Sequence, residues 1–296
     1  MVLDGRYWVR PDFIYYESRF KSARWRTEIT GLETGPLRVR IDPNYTARLV
    51  FPGETIYSLI RLQLARRGLL LLHAPAVGRH GRSLLLPARG GTGKTITAVN
   101  FARRGWDFLG DDSCILAEDR AYSFVTPFNL RFTYDVERLL GVRFSTGKRA
   151  EIFLKKSLAL ATLRRITLFT RIPSQDVFGP QIIDSAPLGA VYLLIHGPRP
   201  AVSEPRPTDL FARQVFISTL FEADELRAML LAYNYANPGS PLTRLWPEFE
   251  SRLAQRLARA VCRQISVPQD YTPEVFEMIH DQAKRDLDPA AGEARP

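Results

Sequence analysis

The chain is short of several things, and each shortage removes a class of protein. Among 296 residues there are two cysteines, Cys114 and Cys262. They have no metal-ligand spacing and are too few for the disulfide framework of a small secreted domain. Long apolar runs are missing as well. The longest candidate, Leu69-Leu70-Leu71-Leu72, is stopped by His73 and Pro75, far short of the roughly 18 residues that a membrane span needs. No membrane partner is expected. The first residues, Met1 to Arg6, lack the pattern of a secretion signal, and the expected location is cytoplasmic. Lysine is also scarce, with six lysines against 35 arginines. Without a lysine/arginine block, zinc-finger spacing or an RNP-type aromatic motif, nucleic acid is not the expected partner.

What remains is basic and ordinary in hydrophobicity. The net charge is +10 and the apolar content 45%. That apolar share supplies a sizeable core. The charge favours an anionic partner, such as a nucleotide or an acidic peptide. An arginine bias also fits genome composition alone.

The richest stretch is Ala88-Arg89-Gly90-Gly91-Thr92-Gly93-Lys94-Thr95. It follows an apolar run, Ser83 to Pro87, and precedes an amphipathic run, Thr95 to Arg104. Strand, glycine-rich turn and helix is the context of a phosphate-binding loop. Glycines let successive backbone N–H groups converge on an anion, and a helix N-terminus adds partial positive charge. Arg89, Gly90, Gly91, Thr92 and Gly93 would cradle phosphates. Lys94 would reach the outer phosphates, and the Thr95 hydroxyl would ligate Mg²⁺. Ala88 stands where the usual pattern has its first glycine.

Two neighbours add chemistry. Asp111-Asp112 lies 17 residues after the lysine, at the end of the short strand expected at Trp106–Leu109. In an α/β sheet the end of a nearby strand returns to the phosphate edge. There, one carboxylate can hold Mg²⁺ and the other can accept a proton from an attacking hydroxyl. A solvated turn is the plainer alternative, and the loop weighs against it. His73 precedes the lysine by 21 residues and ends the apolar strand expected at Leu69–Ala74. Its imidazole could tune a catalytic carboxylate, or simply be a satisfied core group. His80, His196 and His280 read as structural or surface residues.

The rest of the chain gives the organisation. Strands are expected at Arg6–Tyr16, Arg26–Leu32, Leu37–Ile41 and Arg48–Phe51, and a helix at Thr55–Arg67. Leu69–Ala74 and Ser83–Pro87 read as two strands joined by a turn at 78–82. Ala190–Ile195 reads as a buried strand, Thr208–Arg263 as mostly helical, and Pro273–Ala283 as a last helix. This divides the chain into a β-rich N-terminal subdomain (1–68), a catalytic domain (69–283) and a disordered tail (284–296).

Residues 73–77, 84–95 and 105–112 together resemble the HPr serine kinase/phosphorylase family. The shared pattern is a histidine on a strand, a Walker-type loop, a helix ending in Arg-Gly and an Asp-Asp pair. The likeness is specific over 73–112 and loose over 70–283. It implies an α/β fold: a mixed-sheet P-loop core like that of HPr kinase and phosphoenolpyruvate carboxykinase. It also implies a kinase that uses ATP and Mg²⁺ and phosphorylates serine on a peptide or small protein. Asp111 then looks like the general base, His73 like its partner, Lys94 like the group that stabilises the transferring phosphoryl, and Thr95 and Asp112 like metal ligands. Arg131 and the Lys148-Arg149 pair, expected in a loop, are further candidates for phosphate or substrate contact. Family members often assemble, so a homo-oligomer is a further expectation. A small-molecule hydroxyl kinase and a nucleotide-binding regulator with little catalysis are the other readings of the same residues.

Overall fold

A computed structural model describes residues 1–49, 55–131, 136–161, 169–206 and 208–288. The chain opens with β1 (Val2–Leu3), β2 (Tyr7–Arg10), β3 (Phe13–Phe20), β4 (Ala23–Thr30) and β5 (Arg38–Pro43), followed by α1 (Tyr57–Arg66). Next come β6 (Leu70–Leu72), β7 (Ala76–Arg79), β8 (Arg82–Leu85), α2 (Lys94–Arg103), β9 (Asp107–Gly110), β10 (Cys114–Ala117) and β11 (Arg120–Ser123). A smaller run holds β12 (Phe128–Arg131), α3 (Val136–Leu140), α4 (Thr146–Ala161), β13 (Phe169–Ile172) and α5 (Ser174–Phe178). The chain continues with β14 (Ser185–His196), β15 (Ala201–Val202), α6 (Thr208–Phe221), α7 (Asp224–Ala236), α8 (Leu245–Leu257), β16 (Val261–Val267) and α9 (Pro273–Leu287). Among the described residues, no helix is long and apolar enough to cross a membrane.

The chain forms two compact units, one of residues 1–71 with 219–253, the other of 72–218 with 254–296. Residues 219–253, placed in the catalytic domain by sequence, thus pack with the N-terminal strands. In that first unit β1 to β5 form one antiparallel meander. Period-two alternation explains it: along β4, Ala23, Trp25, Thr27 and Ile29 are buried while Arg24 and Arg26 are exposed. The strand expected at Arg6–Tyr16 is two strands, because Asp12 adopts φ 59° and turns the chain between β2 and β3. The strand expected at Arg48–Phe51 is instead a single 3₁₀ turn at Ala47–Leu49, with the remainder outside the described residues. Polar side chains join the meander to α7: the Tyr233 hydroxyl donates to Glu33 at 2.6 Å and accepts from the Asp12 N–H at 2.8 Å.

The second unit is built on a mixed sheet in which β14 lies beside β8, β8 beside β7 and β7 beside β9. β14 is parallel to both β8 and β16, and β7 is antiparallel to both β8 and β9. β8, β9, β14 and β16 therefore point the same way, and their C-terminal ends share one edge. The sequence reading missed β7. A two-residue turn, His80 at φ 51° and Gly81 at φ 72°, folds β7 back on β8. The core beneath holds Val77, Leu84, Phe101, Trp106, Phe108, Tyr192, Leu194, Ile265 and Phe276, all buried.

α9 runs to Leu287, into the stretch expected to be a tail. The reason is a buried pair: Arg263 donates to Asp286 through Nε at 2.7 Å and Nη2 at 3.0 Å, and the Tyr192 hydroxyl donates to the same carboxylate at 2.5 Å. Removing one partner leaves a buried charge without compensation, which costs about 3–5 kcal/mol. Asp286→Ala is therefore expected to lower the melting temperature by roughly 10 °C or more, as thermal unfolding would measure.

Candidate active site

The glycine-rich loop leaves β8 and enters α2 at Lys94. Its entry is fixed by the sheet: the Leu194 N–H donates to the Pro87 carbonyl at 2.9 Å and Ala88 pairs with Leu194. Inside the loop, the Thr92 hydroxyl donates to the Arg89 carbonyl at 2.8 Å. Gly91 and Gly93 sit at φ 91° and 86°, where a side chain is strained. At Gly93 there is also no room, since an added Cβ would lie 2.5 Å from the Tyr271 ring. Tyr271 is held there by its hydroxyl's 2.7 Å hydrogen bond with Thr97, one turn into α2. Gly93→Ala combines backbone strain with a ring clash, and about 1–3 kcal/mol of destabilisation is expected. Urea unfolding of the two proteins would read it.

Three of the sequence candidates meet at the loop's exit. Lys94 Nζ is hydrogen-bonded to His73 Nε2. Asp112 lies against both groups, 3.5 Å from His73 Nδ1 and 3.8 Å from Lys94 Nζ. Lys94 and His73 are buried, while the Asp112 side chain is half exposed. The topology explains the meeting. His73 precedes β7 and Asp111-Asp112 follows β9, so both reach the edge at which β8 releases the loop.

Asp111 behaves differently. It is 5% exposed, and its Oδ1 has no hydrogen-bond partner. Burial first, then the neighbouring Asp112 charge, pushes its carboxyl up to about 8, against a smaller pull from its own backbone N–H and Lys94. The two carboxylates thus sit in contrasting surroundings, one desolvated with an oxygen that lacks a partner, the other half exposed beside two basic groups. Gly110 makes this turn possible, because a Cβ there would lie 2.5 Å from the Ser113 carbonyl oxygen. His73 was expected to partner Asp111, and its Nδ1 lies 3.5 Å from the Asp112 carboxylate next to it.

The remaining candidates are placed as follows. Thr95 is half-buried in the first turn of α2, and Arg89, Gly90 and Gly91 are exposed. Lys148 and Arg149, expected in a loop, lie in the first turn of α4. Lys148 pairs with Glu151 at 2.9 Å and Arg149 with Glu137 at 2.9 Å, which accounts for both as a solvated ionic cluster. Arg131 ends β12, and its side chain lies outside the described residues. His280 is a core group packed against Phe101, Trp106 and Phe276, and His80 pairs with Asp288 at 3.0 Å.

Tyr271 beneath Gly93 and Gln269 beyond the loop were not singled out in the sequence, and His196, read there as structural or surface, is exposed near Gly91. Tyr271 and Gln269 have no local signature. A divalent cation suits this edge chemically: the half-exposed Asp112 carboxylate and the hydroxyl of Thr95, next to Lys94 in the first turn of α2, are hard oxygen donors.

No protein-family model matches the chain, and no curated protein does. Among solved structures, it is similar to the Hpr(Ser) kinase/phosphatase from Coxiella burnetii. The identity is 13%, the match covers 45% of this chain and 76% of that one, and the TM-score is 0.25. A likeness that slight carries nothing about activity.

Proposed function

We propose that this chain is a kinase that transfers the γ-phosphoryl group of ATP to a hydroxyl, with serine of a peptide or small protein as the acceptor. The observation that supports it is the convergence of Lys94, His73 and Asp112 at the exit of a glycine-rich loop, with the unpartnered Asp111 oxygen beside them. The sequence resemblance supplies the serine acceptor.

Phosphoryl transfer asks for positioning and charge stabilisation more than for covalent chemistry. The loop N–H groups and the start of α2 bind the donor phosphates. Lys94 turns from His73 and Asp112 to the transferring phosphoryl group. Asp112 and Thr95 would hold Mg²⁺, which when bound offsets phosphate charge. Asp111, desolvated and free to accept a hydrogen bond, takes the acceptor's hydroxyl proton. The new O–P bond forms as the bond to the departing diphosphate breaks. His73 is a positioning residue that keeps Lys94 and Asp112 in register.

The test is to incubate the protein with γ-labelled ATP and Mg²⁺ beside a panel of serine peptides and hydroxyl metabolites. Label on peptide serine is the expected result. Label confined to a metabolite would overturn the acceptor, and nucleotide bound without turnover would overturn the kinase reading.

A further inference from the structure

The strand order divides the edge around the loop into two flanks. On the β7 and β9 side lie His73, Asp111 and Asp112. On the other side lie β14 and β16, both parallel to β8 in effect and therefore open at the same edge. Their C-terminal ends lead into His196-Gly197 and Pro268-Gln269. Between these ends is a cleft of about 420 Å³ lined by His196, Gly197 and Gln269. It is continuous with the loop, since His196 Nε2 lies 4.0 Å from where a Cβ on Gly91 would stand. Gly197 keeps its floor low: its N–H donates to the Val267 carbonyl at 3.0 Å, and a Cβ there would lie 2.0 Å from the Ser266 hydroxyl.

We propose that this cleft seats the nucleoside, base and ribose together, of the donor nucleotide. The inference rests on the nucleotide reading of the loop but not on catalysis. A nucleoside triphosphate has its reactive phosphoryl at one end and its nucleoside at the other. With the reactive end against Asp111 and Asp112, the chain of phosphates crosses the loop and the nucleoside emerges over β14 and β16. Neighbouring strands are about 4.8 Å apart, so this flank begins within one or two strand spacings of the loop. The cleft has the volume of a small-molecule site. His196 and Gln269 each offer a donor and an acceptor, which suits a base edge or ribose hydroxyls.

The experiment compares ATP with inorganic tripolyphosphate, which has the phosphates and no nucleoside. Equilibrium binding of each is measured on the wild-type chain and on His196→Ala, Gln269→Ala and Lys94→Ala. The first two variants change surface-accessible side chains outside the proposed catalytic groups. They are expected to weaken ATP about tenfold together and leave tripolyphosphate unchanged, while Lys94→Ala weakens both ligands. Equal loss of both ligands in His196→Ala would make the histidine a phosphate contact and overturn the proposal. Unchanged ATP binding in both variants would overturn it as well. If the wild type bound neither ligand, the nucleotide reading itself would fall. If it bound both and only the variants behaved otherwise than expected, the cleft assignment alone would fall.

Discussion

Lys94→Ala is expected to lower phosphoryl transfer by about 10³-fold, the loss seen when one preorganised charge-stabilising group is removed from a site. The ammonium is buried, at 7% exposure, and its partners are His73 and Asp112. In such a desolvated place a charge acts more strongly than in water. The variant should also bind ATP more weakly, because the phosphates lose a cation. A second consequence follows from the neighbouring carboxyl: Lys94 pulls Asp111 downward, so its removal leaves Asp111 protonated to still higher pH. Steady-state kinetics with an ATP titration would measure each part. A loss under tenfold would mean that Lys94 does not face the transferring group.

The second large effect belongs to Asp111→Asn. Removing a general base costs about 10²–10⁴-fold, while ATP binding is expected to stay within about twofold because the loop N–H groups, the start of α2 and Lys94 hold the phosphates. The pH profile follows from the raised carboxyl. Below about 8 Asp111 is protonated in the free protein and cannot accept the hydroxyl proton. The wild-type kcat/KM is therefore expected to rise with pH and level above about 8, since that ratio reports the free enzyme's groups. The asparagine variant has no such limb.

Stability should change in the opposite sense. An exposed aspartate in the unfolded chain titrates near about 3.9, but the folded group titrates near about 8. Stability linked to Asp111 is thus full below the lower value and lost as pH rises through the higher one. Asparagine does not ionise, so the variant should melt above wild type near about pH 8 and alongside it near about pH 4. Lost transfer with raised stability marks a group held against folding for chemistry.

Much of the loop was legible because its signals are local. Gly91 and Gly93 occupy backbone regions that favour glycine, the helix begins at Lys94, and the Asp pair follows a short apolar strand. β7 was not legible: Ala76-Val77-Gly78-Arg79 is short, and it is a strand because β8 and β9 flank it. Gly78 is accommodated there by close approach to the Asp107 side chain, 3.0 Å from where a Cβ would stand. The flank of His196, Gln269 and Tyr271 depends on which strands lie beside β8, a matter of long-range pairing rather than local pattern. The last turn of α9 is set by Arg263, 23 residues upstream of Asp286.

The most direct measurement of the central claim is the pH dependence of kcat/KM for labelled transfer to a serine peptide, run for wild type and Asp111→Asn from about pH 6 to about 9. A wild-type limb with its midpoint at about 8, levelling above it, and a flat variant at least about 100-fold lower with ATP affinity preserved, is the result expected of Asp111 as the base. Equal rates and matching pH profiles in the two proteins would contradict it.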